Sequence, residues 1–185
     1  MRSVPKAAFG TALIAVAGCA TAPSTAPTPT PTIVIHPYYV REGMVYAINP
    51  PTEAIWNLQV EVMDDYGNFD PALMTDAHWA SLDAQSALLL AAAQDMAVAS
   101  SYASHNPAGD LGDAPEGTDL AAIQGRLAAN PQGYNAFATG LADHADQLFQ
   151  AVKARDTELI TRQINDMQPV CKACHVVFWY PEEYR

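Results

Sequence analysis

Four stretches of this chain repeat apolar side chains every three to four residues, each bounded by residues that start or stop helices. Almost nothing alternates with the period of two that a strand requires. The first runs from about Pro51 to Tyr66, opening on a Pro-Pro pair and meeting Gly67 as a stop. The second, from about Thr75 to Tyr102, is rich in Ala and Leu and closes before Pro107 and Gly109. The third begins at Asn130-Pro131, a cap and first-turn pair, and spaces Tyr134, Ala138, Leu141, Ala145, Leu148 and Val152 along one face. The fourth follows Asp156 as its cap and aligns Ile160, Ile164, Met167, Cys171, Cys174, His175 and Phe178. Only "TIVIHPYYV" clusters β-branched and aromatic residues, and Pro37 interrupts it, so residues 33–49 are expected to lie as an irregular arm over the domain. An acidic Gly/Pro loop with a turn or two of helix separates the second and third stretches. The short links elsewhere predict an all-α fold, an antiparallel four-helix bundle spanning residues 50–185.

The beginning of the chain reads differently. Arg2 and Lys6 precede a short apolar run from Phe9 to Ala17, too short to span a bilayer but suited to an export signal over residues 1–18. Val16-Ala17-Gly18-Cys19 resembles a bacterial lipobox, which implies cleavage before Cys19 and lipidation of its thiol. An ordinary secretory signal with a chance cysteine is the alternative. Residues 19–32 alternate Ala, Pro, Ser and Thr without a large apolar group and are expected to form a semi-rigid tether reaching about 40 Å. Cleavage removes two of nine basic residues and leaves seven against twenty acidic ones, a net charge of −13. Such a surface repels nucleic acid and favours a partner with a basic docking face. Membrane attachment then comes from the lipid at Cys19. Ala20, rather than Asp, in the next position points to the outer membrane, on its periplasmic side.

Cys171, Cys174 and His175 stand at i, i+3 and i+4 and so share one face of a helix. In an exported chain this spacing is that of covalent haem c attachment, in which both sulfurs bind the haem and the adjacent imidazole ligates its iron. A thiol-disulfide site needs a βαβ context that this chain lacks, and a zinc site needs further ligands that no other cysteine supplies.

A CxxCH motif on the last of four helices resembles the class II c-type cytochromes, the group that contains cytochrome c′ and its low-spin relatives. That family places its distal residue on the first helix, commonly four residues after an Arg and four before a Gly. Here the stretch "QVEVMDDYG" sets Met63 between Gln59 and Gly67. The resemblance therefore implies Met63 as the distal iron ligand or, as in many cytochromes c′, as a bulky residue that packs without ligating. Met74, Met96, Met167 and His78 are weaker candidates, and Met167 shares a helix with His175. Two positions depart from the family pattern: Trp179 and Gln59 stand where arginines are usual. Phe178 is expected to pack on the haem or in the core, and His36, His105 and His144 to be uninvolved.

Two functions follow from the resemblance. With His175 and Met63 both bound, the chain is expected to be a tethered one-electron carrier serving a redox partner protein. With Met63 only packing, it is expected to bind nitric oxide or another diatomic gas at a five-coordinate iron. No nucleophile elbow, zinc-protease motif or phosphate-binding loop is present, so no enzymatic role is expected. Family members are often dimers through the first two helices, which makes a homodimer a further expectation.

Overall fold

The structure is a computed structural model that describes residues 37–66 and 69–180. The expected signal segment, Cys19, the tether to Thr32, His36 and Gly67 lie outside the described residues. The rest is mostly helical, in keeping with the all-α expectation.

Local chemistry explains where the helices begin. Helix α3 spans Asp76–Ala97 behind a capping box: Thr75 Oγ1 accepts from the His78 amide at 3.2 Å while His78 Nδ1 accepts from the Thr75 amide at 3.3 Å. Helix α4, Leu120–Ala129, starts where Asp119 accepts from the Ala122 amide. Helix α5, Pro131–Ala154, starts behind Asn130 with proline at its first position, and α6, Thr157–Phe178, behind Asp156. Each cap satisfies an amide that has no partner within its own helix.

The first helical rod corrects the sequence expectation. Residues 40–48 do not form an irregular arm. Helix α1 covers Val40–Gly43, a π-helical segment covers Met44–Ile48, and α2 continues through Asn49–Glu61. The physical reason lies in Pro50 and Pro51, which have no amide hydrogen to offer the carbonyls of Tyr46 and Ala47. The chain compensates without stopping: the Asn49 amide reaches back five residues to Met44 O, and Thr52 Oγ1 donates to Ile48 O at 2.7 Å. Ahead of this rod, β1 (Tyr38–Tyr39) pairs in parallel with β2 (Tyr102–Ala103), which pins its start beside the end of α3.

The rod ends sooner than expected as well. Val62 leaves helical geometry, Asp64 Oδ1 captures the Tyr66 amide at 2.9 Å, and Met63 falls into an isolated antiparallel bridge with Phe69. Helices α3 and α5 pack most extensively, α5 packs on α6, α2 on α3, and α4 touches both α5 and α6. Their shared core includes Ile55, Leu82, Leu89, Ile123, Leu148, Ile160 and Ile164, all buried. Burying side chains of this size contributes about 1.5–3 kcal/mol each. No helix among the described residues is long and apolar enough to cross a membrane.

Candidate haem-attachment site

Helix α6 brings Cys171, Cys174 and His175 together, each half-buried, within its last two turns. Two cavities meet at this face. The larger, about 230 Å³, lies between the start of the first rod (Val40, Met44, Val45) and Cys174, His175 and Phe178, with loop residues Pro115 and Thr118 completing its wall. The smaller, about 30 Å³, is lined by Met44, Met96, Phe137, Cys171, Cys174 and His175 among others. Met44, Cys174 and His175 line both.

The electrostatics follow from burial. It pushes the Cys174 thiol up to about 12, with Cys171 nearby adding to the shift, and raises Cys171 too. The same loss of water lowers the His175 imidazole, which stays neutral near pH 7. That ring makes no hydrogen bond among the described residues, and its nearest aromatic neighbour is Tyr180, edge-on at 6.1 Å. Two neutral thiols one turn apart and an imidazole with an uncommitted lone pair suit a thioether-linked haem at its attachment end. A drug-sized ligand ordinarily occupies roughly 300–1,000 Å³. The larger cavity, about 230 Å³, therefore seats a macrocycle only if a wall yields, and Pro115 and Thr118 form the wall that belongs to a loop.

Met63 is not at this site. It lines neither cavity and lies beyond the end of α2. Gln59, four residues before it, hydrogen-bonds to Asn165 at 3.1 Å. From Asn165 to His175 is ten residues of α6, or about 15 Å at 1.5 Å per residue. The structure therefore does not bring Met63 together with His175 at either cavity. Because the rod starts at Val40 rather than Pro51, the methionine on its cavity wall is Met44.

The remaining candidates separate in the same way. Met96 is buried beside the smaller cavity, but its sulfur accepts the Tyr134 hydroxyl at 3.2 Å. Met167 is fully buried on α6 itself, and Met74 packs against the core after the 3₁₀ turn Pro71–Leu73. His78 caps α3 and lies 3.7 Å from the Glu61 carboxylate. His105 contacts Ser104 Oγ at 3.1 Å. His144, expected to be uninvolved, is 7% exposed with Nε2 lacking a partner among the described residues. Phe178 is core, packing edge-on against Tyr134 and Phe137, while Trp179 lines the larger cavity.

Two arginines converge at this end of α6. Arg41 lines the larger cavity and donates to Gly112 O at 2.8 Å, Asp113 O at 2.7 Å and Leu111 O at 3.4 Å. Arg126 of α4 donates to Phe178 O at 2.7 Å and Trp179 O at 3.3 Å. The signal for Arg41 and Met44 was present in the sequence: Val40, Met44 and Ile48 repeat every fourth residue and run on to Ile55. No local pattern marks Arg126, whose partners lie more than fifty positions away. Comparison of the chain with protein-family models, with curated protein sequences and with solved structures finds no match in any of the three.

Proposed function

We propose that the domain is an antiparallel four-helix bundle of the class II c-type cytochrome kind, holding one haem c and serving as a one-electron carrier. The observation that carries this reading is that Cys171, Cys174 and His175 share one face of α6 and line, together with Met44, one small cavity, while Met44, Cys174 and His175 also line the larger one beside it. When bound, the haem supplies an iron couple that exchanges one electron. Cys171 and Cys174 would hold it covalently, His175 would be the proximal ligand, and Met44 replaces Met63 as the candidate thioether ligand on the far wall.

The chain's own groups support this assignment. Burial keeps His175 neutral, the form that binds a metal. It also raises both thiols, the reverse of the lowered values that activate a thiol-disulfide pair. Phe178, Tyr134 and Phe137 pack edge-on as an aromatic wall on the inner side. The acidic surface would steer a basic redox partner, and the lipid at Cys19 would tether the domain on the periplasmic side of the membrane.

A second reading, a five-coordinate haem that takes nitric oxide or another diatomic gas, draws support from the apolar side chains of Val40 and Val45 beside Met44. Visible spectra of the reduced holoprotein, with and without carbon monoxide, separate the two. Electron transfer predicts a low-spin spectrum that barely responds, conversion to a responsive high-spin form in Met44→Ala, and no change in Met63→Ala. A wild-type spectrum that is already high-spin and shifts at once favours gas binding. Covalent haem persisting in Cys171→Ala/Cys174→Ala refutes both.

A further inference from the structure

We propose that Arg126 is a positioning residue for the His175 end of α6, locking the last carbonyls of that helix and fixing a positive charge behind the imidazole. The redox half of this inference rests on the haem reading above; the mechanical half does not.

The last carbonyls of a helix have no intrahelical donor and must find one elsewhere. In α6 the solution comes from another helix. Arg126 Nε donates to Phe178 O at 2.7 Å and Nη2 to Trp179 O at 3.3 Å. The amides of Trp179 and Tyr180 turn back onto His175 O at 2.9 and 2.8 Å. The carbonyl of the imidazole's own residue and the turn that follows it are thus tied into one hydrogen-bonded unit with α4. On either side of Arg126, Ile123 and Leu127 are fully buried, so the backbone carrying the guanidinium is held by the core.

The charge is the second part of the argument. Arg126 is half-buried and forms no ion pair among the described residues, so its partners are carbonyl dipoles at a helix C-terminus, where a cation is stabilising. Only nine basic residues face twenty acidic ones in this chain, which makes a cation without an ion pair among the described residues a local departure from its acidic character. A fixed positive charge near the ligand helix favours the reduced state of a bound metal over the more positive oxidised state, because less water screens it there than at the surface. Lysine would keep the charge but not the fork that reaches two carbonyls at once.

The test uses the full chain with Arg126→Gln and Arg126→Lys, read by redox titration of the holoprotein and by amide exchange at Trp179 and Tyr180 in the haem-free protein. Arg126→Gln is expected to lower the midpoint, reducing the reduced-to-oxidised ratio at fixed poise by up to about tenfold, or ~59 mV. Arg126→Lys is expected to hold the midpoint near wild type while both variants speed exchange of the two amides. A midpoint unchanged in Arg126→Gln, with haem still attached, overturns the charge role. Unchanged amide exchange in both variants overturns the locking role. Absence of covalent haem in the wild type defeats the cytochrome reading instead, and the exchange measurement still decides the mechanical half.

Discussion

Replacing Arg41 by alanine tests how the cavity beside His175 is closed. The guanidinium holds residues 111–113 through two good bonds, at 2.8 and 2.7 Å, and a third at 3.4 Å that is too long to count for much. A hydrogen bond from a charged group contributes about 1.5–3 kcal/mol, but both good bonds are exposed, so about 1 kcal/mol each is the better scale. Their loss should favour opening of the loop by about 2 kcal/mol, or roughly 30-fold, since 1.4 kcal/mol is tenfold. Two further ties remain in the variant: Tyr46 donates to Asp110 at 2.7 Å, and the Asn106 amide donates to Glu42 at 3.0 Å. Cys174 reports the opening. With its thiol pushed up to about 12 in the closed form, it carries almost no thiolate at pH 8, so alkylation proceeds through the open form. Peptide-resolved mass spectrometry of maleimide labelling in the haem-free chain should show Cys174 reacting about 30-fold faster in Arg41→Ala. The reasoning fails if the rate is unchanged. It fails equally if a cysteine at buried Ala151, in a Cys171→Ala/Cys174→Ala background, accelerates by the same factor, because opening would then be global.

Three other outcomes follow from the core, a cap and a buried base. Leu148→Ala, at a fully buried position in α5, should cost about 2–5 kcal/mol in urea unfolding of the haem-free protein, whereas Leu88→Ala, 56% exposed, should cost well under 1 kcal/mol. Asn130→Ala removes the bond to the Gly133 amide and should cost about 1 kcal/mol, which Asn130→Ser should largely restore. Burial lowers His144, partly offset by the Gln163 backbone and by Asp166, and lowers His175 as well. The unfolded chain then binds protons that the folded one does not, so stability of the haem-free protein should fall as pH drops below the ordinary histidine value of about 6.5. His144→Gln should flatten part of that fall, and an unchanged pH profile would refute the assignment.

What could be read without a structure shares one property, which is short range. Thr75, Asn130 and Asp156 cap helices because each oxygen meets an amide three residues ahead, so the interaction is complete within a few letters. The grouping of Cys171, Cys174 and His175 follows from helical spacing alone. The same local logic misplaced the first rod. A Pro-Pro pair is a sound helix start, but here the Asn49 amide and the Thr52 hydroxyl carry the rod across it, and pairing of Tyr38 with Tyr102 anchors its beginning. The rod begins at Val40, and it is Met44, not Met63, that lines the cavities beside His175. His144 illustrates the same limit, since its ring is buried by a neighbouring helix and not by its own face. Arg126 does too, acting on carbonyls of another helix. Composition and periodicity determined that this chain is helical and that Cys171, Cys174 and His175 form a triad on one helix face. Which side chains face that triad was decided by tertiary register, because it depends on how far one rod slides past another, and no local spacing encodes that distance.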